Sequence, residues 1–256
     1  MYLTAGLHRS MQRHPDKIAT VTGTRRQTYR QLVDRVARTA AALRALGLQP
    51  GERLSVLALN SDRMVELLLA GAWAGLVINP VNTRWTPAEV AYALNDCGAS
   101  ALAVDDSLMA TAQAMTDPLP ALRQRIYIGE TQAPAGYLPL EAQLAAAQPL
   151  EDVRSAPDTL AAIVYTGGTT GLSKGAILLH RNILSNVIQT EMWLEPGLKR
   201  KHVDQLVFLC ALPMYHIFAL TACAVLGMRK GGLLILVPNP RDFDGFIKLL
   251  KKHPDI

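Results

Sequence analysis

Residues 166–175, with the sequence TGGTTGLSKG, combine the residue types that proteins use to bind phosphate. Glycine lets backbone N–H groups turn toward an anion, while threonine hydroxyls and a lysine add hydrogen-bond donors and positive charge. The apolar run 160–165 directly precedes this stretch and predicts a buried strand that leads into it. We therefore expect a phosphate-binding loop whose binding residues are Thr166, Gly167, Gly168, Thr169, Thr170, Gly171 and Lys174.

The position of the lysine excludes the P-loop of common NTPases. That loop needs Lys directly after its last Gly, so that the lysine opens the helix whose N-terminus holds the phosphate. Here two residues separate Gly171 from Lys174, and Gly175 follows the lysine. The chain therefore carries a different kind of phosphate loop, or, as the simpler alternative, a connection rich in Gly and Thr that only turns the chain.

The composition is that of a globular protein. Of the 256 residues, 50% are hydrophobic and 18% are charged, which supplies a buried core and excludes a disordered tail. The net charge of +5 is spread along the chain without interleaved aromatic and basic residues, so no nucleic-acid partner is expected. Cys97, Cys210 and Cys223 form no CxxC pair, and the N-terminal residues have no secretory signal pattern, so we expect buried reduced thiols in a cytoplasmic protein.

Helix and strand patterns alternate along the first 104 residues. Thr28 and Thr86 are suitable N-caps, and Gly47 and Gly98 are suitable helix stops. The predicted helices are 28–47, 64–73 and 86–98, and the predicted strands are 54–59, 77–78 and 101–104. Strands that alternate with helices across short loops predict an α/β fold with largely parallel sheets flanked by helices.

The segment 206–228 contains no formally charged residue and is longer than the roughly 20 residues that a membrane-spanning helix needs. Pro213 and Gly227 interrupt its apolar pattern. We therefore predict a strand at 206–212 and a helix at 217–228 rather than a membrane span.

Two polar stretches lie outside these elements, and a further amphipathic helix is expected at 243–250. Residues 129–157 are rich in Pro, Ala and Gln and predict a linker or surface excursion. The basic run 199–202 is either a solvated loop or a peripheral contact with anionic lipid at the inner face of the membrane.

Several motifs together carry a resemblance to a known family. Residues 165–183 (YTGGTTGLSKGAILLHRNI) resemble the signature loop of the adenylate-forming superfamily, which includes acyl-CoA synthetases. Residues 71–82 resemble the helix and strand that precede the family's Pro turn, and residues 212–218 (LPMYHIF) resemble its aromatic gate motif. Residues 239–242 (NPRD) are similar to bacterial long-chain fatty-acid-CoA ligases, which also tend to have a residue other than Pro where this chain has Ser173.

The resemblance implies an AMP-forming acid–CoA ligase that uses ATP, Mg²⁺ and coenzyme A. A fatty-acid carboxylate would attack the α-phosphorus of ATP, and the thiol of coenzyme A would then displace AMP from the acyl-adenylate. By this resemblance Thr169, Thr170 and the glycine N–H groups hold the β- and γ-phosphates, Lys174 is catalytic through its charge, and Thr166 helps to hold the metal.

The resemblance also implies that His216 is catalytic and that Tyr215, His216 and Phe218 contact the substrate. His216 would lie between the acyl tunnel and the α-phosphate, where it can donate to carboxylate or phosphate oxygens. The residue types alone allow a core histidine instead, and they allow Tyr215 and Phe218 to be either ordinary core aromatics or tunnel-wall residues.

The members of this family are roughly double the length of this chain. The resemblance therefore predicts that residues 1–256 form an incomplete N-terminal AMP-binding domain without the C-terminal lid domain, with little or no activity alone. Two alternatives stay open: an aryl- or short-chain acyl-CoA ligase, and a non-catalytic protein that binds a nucleotide or an acyl group. A homo-oligomeric state is also compatible with the sequence.

Overall fold

A computed structural model describes residues 2–168, 171–198 and 203–252. Helices and strands alternate along most of the chain. The strands are β1 (Ile18–Thr22), β2 (Arg25–Thr28), β3 (Arg53–Leu57), β4 (Val77–Pro80), β5 (Ala99–Val104), β6 (Gln124–Tyr127), β7 (Leu138–Pro139), β8 (Leu160–Gly168), β9 (Gly171–Leu179), β10 (Val207–Cys210) and β11 (Leu233–Leu236). The α-helices are α1 (Ala5–Arg13), α2 (Tyr29–Ala45), α3 (Asp62–Trp73), α4 (Pro87–Cys97), α5 (Met109–Gln113), α6 (Leu140–Ala146), α7 (His180–Leu198), α8 (Ile217–Ala219), α9 (Leu226–Lys230) and α10 (Phe243–Lys252).

The larger sheet has seven strands in the order β7-β6-β5-β3-β4-β8-β9. Its neighbouring strands run parallel except for β8 and β9, which form an antiparallel hairpin at one edge. Helices lie in the connections between the parallel strands, except between β6 and β7, which a loop joins. The predicted α/β fold with largely parallel sheets is therefore confirmed.

The smaller sheet has four strands in the order β10-β11-β1-β2. β10, β11 and β1 run parallel, and β2 pairs antiparallel with β1 across a turn at Gly23, whose φ is +58°. The sequence analysis missed β1 and β2, because β2 carries two arginines that break the apolar alternation on which a strand prediction rests.

The predicted helix caps are present. The Thr28 and Thr86 side chains each accept a hydrogen bond from the backbone N–H three residues later, and Gln31 and Glu89 complete two capping boxes. Gly98 ends α4 in the left-handed conformation, at φ +61°. These local signals explain why the sequence located α2, α3 and α4 to within a few residues.

Apolar residues fill both faces of the larger sheet. One cluster lies between this sheet, α2, α3 and the smaller sheet, and it includes the fully buried Leu32, Leu54, Met64 and Ile78. A second cluster covers the opposite face under α4 and α5. Both faces of the sheet are thus covered, which is the usual condition for a parallel sheet.

The chain from β10 to α9 has the predicted organisation. A short strand is followed by α8, a π-helical segment (Leu220–Val225) and α9, and these three form one continuous stretch of helix. Within the ranges that the structure describes, no helix is long and apolar enough to cross a membrane. The basic run 199–202 lies outside those ranges.

Two further sequence predictions can be compared with the structure. Residues 129–157, predicted as a linker or surface excursion, include β7 at the edge of the larger sheet and α6, whose Leu140 and Leu144 are buried. The three cysteines are free thiols, with Cys97 and Cys210 buried and Cys223 half-buried.

The N-cap of α4 gives a first test of this fold. Replacing Thr86 by Ala removes the acceptor for the Glu89 N–H, and we expect the free energy of unfolding to fall by about 1 kcal/mol. Urea denaturation monitored by circular dichroism measures this change. Replacing the exposed loop residue Thr116 by Ala is the matched control and should change stability by less than about 0.5 kcal/mol. Equal stability of the two variants would contradict the assigned cap.

Candidate functional site

The predicted phosphate loop is the tip of the hairpin formed by β8 and β9. Tyr165 pairs with Gly175, Thr166 with Lys174, and Gly168 with Gly171. Gly171 has φ +131°, a conformation that residues with a side chain rarely adopt. The stretch therefore connects two strands rather than a strand and a helix, which is consistent with the exclusion of the common P-loop.

The hairpin places two of the predicted site residues side by side. Residues directly opposite each other on antiparallel strands have side chains on the same face, so the Thr166 hydroxyl and the Lys174 ammonium group project together. Both residues and Gly167 are exposed. The arrangement offers a hydroxyl and a positive charge to an anionic ligand. Thr169 and Thr170 lie outside the described residues.

Tyr165 anchors the other face of the hairpin to α4. Its hydroxyl donates to the Asp96 carboxylate Oδ2 at 2.5 Å and lies 3.2 Å from the Ala93 carbonyl oxygen. The Trp85 ring meets the Tyr165 ring edge to face, with 5.9 Å between ring centroids. Burial, followed by the hydrogen bond to Asp96, raises the pKa of Tyr165 well above its ordinary value, so the phenol remains a donor across the physiological pH range.

Gly175 makes this packing possible. A Cβ atom at residue 175 would lie 2.7 Å from Ile163 Cγ2 and 3.1 Å from Tyr165 Cζ. The Tyr165 side chain is buried and has little room to move aside. The glycine next to the loop lysine is therefore required by the aromatic anchor, independently of any phosphate contact.

The predicted gate residues follow β10. His216 is the N-cap of α8, and its ring centroid lies 4.4 Å from that of Tyr215. The backbone N–H of His216 donates to the Pro213 carbonyl. His216 and Phe218 are exposed, so neither is a core side chain, whereas Tyr215 is buried. Partial burial and then the positive charge of Arg84 lower the pKa of His216, so the imidazole is neutral at pH 7.

A cavity of about 370 Å³ opens beside the gate residues. It lies where β3, β4, β10 and β11 end, and its lining combines apolar groups with the polar side chains of Asn60, Arg84, Tyr215 and Arg241. In open α/β sheets, ligands bind outside the carboxyl ends of the strands. Two guanidinium groups in a largely apolar cavity suit an organic anion.

The sequence analysis missed Asn60, Arg84 and Arg241. Each follows a strand by a few residues, so each lies at the carboxyl end of a strand. A polar residue at that position is a usable signal once the strands are known to be parallel. The sequence did not reveal that the carboxyl ends from two different sheets meet at one cavity.

The candidate site residues fall into two groups. Thr166 and Lys174 lie on the hairpin. Tyr215 and Arg84 line the cavity, and His216 directly follows Tyr215. Among the described residues, no hydrogen bond or ion pair joins Thr166 or Lys174 to His216, and no cluster of three acidic, His or Cys side chains is arranged to hold a metal ion.

Comparison with known proteins identifies the family. The model of the AMP-binding enzyme family matches residues 7–254. The chain is 33% identical to the long-chain-fatty-acid–CoA ligase of Escherichia coli O6:H1 over 272 aligned positions, which cover 96% of this chain and 48% of that protein.

Two solved structures are similar over nearly the whole chain. ATP-bound MatB from Rhodopseudomonas palustris aligns with a TM-score of 0.81 and 30% identity over 98% of this chain and 48% of its own. The anthranilate CoA ligase AuaEII in complex with anthranoyl-AMP aligns with a TM-score of 0.86 and covers 99% of this chain and 48% of its own, but at 24% identity it supports the fold alone.

The chain belongs to the AMP-binding enzyme family. Its fold is that of the N-terminal domain of adenylate-forming acyl-CoA ligases, and the resemblance to bacterial long-chain fatty-acid-CoA ligases drawn from the sequence is confirmed. The chain spans about half the length of the relatives that it matches.

The aromatic anchor gives a second test. Replacing Gly175 by Ala should force the Tyr165 and Ile163 side chains aside and lower the free energy of unfolding by about 1–3 kcal/mol. Urea denaturation measures the change. Replacing Gly167 by Ala is the control, because a Cβ there meets nothing within 4 Å, and stability should change by less than about 0.5 kcal/mol. A Gly175→Ala variant as stable as this control would contradict the anchor.

Proposed function

We propose that the protein to which this chain belongs activates a fatty acid with ATP and transfers the acyl group to coenzyme A. In the first step a carboxylate oxygen bonds to the α-phosphorus of ATP and pyrophosphate leaves, which gives the acyl-adenylate. In the second step the sulfur of coenzyme A bonds to the acyl carbon and AMP leaves. The paired Thr166 and Lys174 side chains on the exposed hairpin are the observation that carries this proposal.

The hairpin meets the electrostatic demand of the first step. Two anions must approach each other, so the site has to neutralise the triphosphate and stabilise the leaving pyrophosphate. Lys174 supplies a positive charge, and the Thr166 hydroxyl next to it supplies a hydrogen-bond donor. In this proposal the backbone N–H groups of Gly167, Gly168 and Gly171 would also bind phosphate oxygens, and Thr169 and Thr170 belong to the same site.

The Thr166 hydroxyl is also compatible with Mg²⁺. This ion takes oxygen ligands and usually binds through few protein groups together with substrate phosphates. A single exposed hydroxyl beside the proposed phosphate-binding hairpin is compatible with that mode of binding. The described residues provide no acidic cluster for a cation. When bound, Mg²⁺ would neutralise charge on the ATP phosphates. Thr166 would hold the ion while Lys174 contacts the phosphates directly.

His216 and the cavity supply the proposed acid site. A neutral imidazole carries one N–H, and this group can donate a hydrogen bond to a carboxylate or phosphate oxygen. The lowered pKa of His216 keeps this form at neutral pH. Arg84 and Arg241 attract an anionic substrate to the cavity, and Tyr215 provides aromatic surface in its lining. Phe218 is exposed on α8 and is proposed to contact the substrate as well.

The preference for a fatty acid is supported by relatives at the sequence level. The long-chain-fatty-acid–CoA ligase of Escherichia coli is 33% identical over nearly the whole chain. The substrate proposal therefore rests on that similarity, while the chemistry of activation rests on the hairpin and His216.

Replacing Lys174 by Ala tests the phosphate role. We expect pyrophosphate release from ATP in the presence of oleate to slow by a factor on the order of 100 in the full-length protein. The reason is that a charge that stabilises the transition state is lost. Replacing Lys248, which is exposed on α10, by Ala removes the same charge elsewhere and should leave the rate unchanged. Equal rates for the two variants would refute the role of Lys174.

A panel of acids tests the substrate class. With pyrophosphate release as the assay, oleate and palmitate should give higher kcat/KM values than benzoate, 4-coumarate or malonate. A higher kcat/KM for an aromatic or dicarboxylic acid would contradict the fatty-acid proposal and leave the ATP chemistry standing. ATP binding by calorimetry without pyrophosphate release for any acid would instead favour a binding protein.

A further inference from the structure

Asn60 connects the two sheets at the edge of the cavity. It follows β3 of the larger sheet, and its side chain reaches the chain that leaves β10 of the smaller sheet. Its Nδ2 donates to the Cys210 carbonyl at 3.0 Å and to the Leu212 carbonyl at 2.8 Å. Its Oδ1 accepts from the Met214 N–H at 2.9 Å. One buried side chain thus holds three backbone groups just before Tyr215 and His216.

Two of these hydrogen bonds supply partners that the backbone does not. In the described structure no backbone group bonds to the Leu212 carbonyl or the Met214 N–H, whereas the Cys210 carbonyl also accepts from the Val237 N–H at 3.2 Å. Residues 211–215 lie outside any strand or helix, and Pro213 has no N–H to donate. Asn60 is 5% exposed and Met214 is fully buried, so water cannot easily take the place of the side chain. A buried backbone polar group without a partner is costly, and this gives the segment one favoured conformation.

Asn60 is itself held from both sides. The Leu59 N–H donates to the Asp105 carboxylate at 2.8 Å, at the end of β5. The Ser61 side chain accepts from the Met64 N–H at 3.1 Å and caps α3. The amide at residue 60 therefore projects from a short, fixed stretch of backbone between a strand and a helix.

Asparagine suits this position better than other side chains of similar size. An amide offers two N–H donors and an acceptor, which matches two carbonyls and one N–H. Aspartate has no donor, leucine has neither donor nor acceptor, and glutamine is longer by a methylene group. The residue type therefore follows from the three backbone groups that it meets.

We propose that Asn60 is a positioning residue that holds residues 211–216 against the end of β3. It thereby determines the position of the His216 side chain relative to Arg84 and the cavity. This inference deepens the proposed function, because His216 has a catalytic role only if that function holds. The placement of His216 is nevertheless a property of the folded chain and can be measured without any substrate.

The first measurement uses the unmodified chain. The Met214 amide belongs to no helix or strand, and Asn60 is its only hydrogen-bond partner in the described structure. We expect this amide to exchange slowly in an NMR experiment, like the amides within β10. Exchange at the rate of an unstructured amide would overturn the proposal, whatever happens to any variant.

The second measurement compares variants by the titration of His216. Replacing Asn60 by Ala or by the similarly sized Leu should release residues 211–216, so that the pKa of His216 rises toward its ordinary value of about 6.5. Asn79 is the matched control, since it is also a buried asparagine but donates to the Ser55 hydroxyl at 2.9 Å and makes no hydrogen bond to residues 211–216 in the described structure. Replacing Asn79 by Ala or Leu should leave the titration of His216 unchanged, even though stability falls.

The outcomes separate the inference from the proposed function. Folded Asn60 variants in which His216 titrates as in the unmodified chain would refute the positioning role. If these variants fail to fold, the exchange rate of the Met214 amide in the unmodified chain tests the positioning role. In the protein as its gene encodes it, Asn60→Ala should lower kcat by on the order of 10- to 100-fold while KM for ATP changes little, because the hairpin is untouched. Absence of any ligase activity would refute the proposed function alone.

Discussion

The complete burial of α3 is the constraint on which the rest of the structure depends. Every residue of this helix except Arg63 is buried. A helix with apolar residues on nearly every side is stable only inside a core. α3 therefore needs cover from α2 on one side and from strands of both sheets on the others, and it contacts β3 and β4 of the larger sheet and β1 of the smaller one. The two sheets are held together because they share this helix.

Two buried acidic residues on α3 make that packing specific. The Asp62 carboxylate accepts two hydrogen bonds from Arg25 on β2, at 2.8 and 2.6 Å. Burial opposes ionisation of Asp62, but the hydrogen bonds and charge of Arg25 outweigh it, so the pKa of this carboxyl is lowered. Glu66 is bound by Arg35 and by the Thr39 hydroxyl of α2. Because a buried charge without its partner is strongly destabilising, these pairs restrict how the smaller sheet and α2 can sit on α3.

The site follows from this arrangement. α3 begins directly after Asn60, so the helix that joins the sheets also fixes the strand end from which the cavity is built. The hairpin is attached separately, through the pairing of β8 with β4 and through Tyr165 on α4. The proposed phosphate-binding groups and the proposed acid-binding groups thus belong to different parts of the fold.

The amino-acid sequence by itself determined the local features of this protein. The caps at Thr28 and Thr86, the left-handed Gly98 and the alternation of helices and apolar strands depend on neighbouring residues, so they could be predicted without coordinates. The phosphate-binding role of residues 166–175 was also predicted from residues that are adjacent in sequence, and it stays a prediction. Only the tertiary structure decided that Tyr165 is held by Asp96, that Asn60 binds the backbone at Met214, and that Arg84 lies near His216. These contacts join residues about 70 to 150 positions apart, and the packing of the sheets around α3, rather than any local pattern, brings such distant groups together.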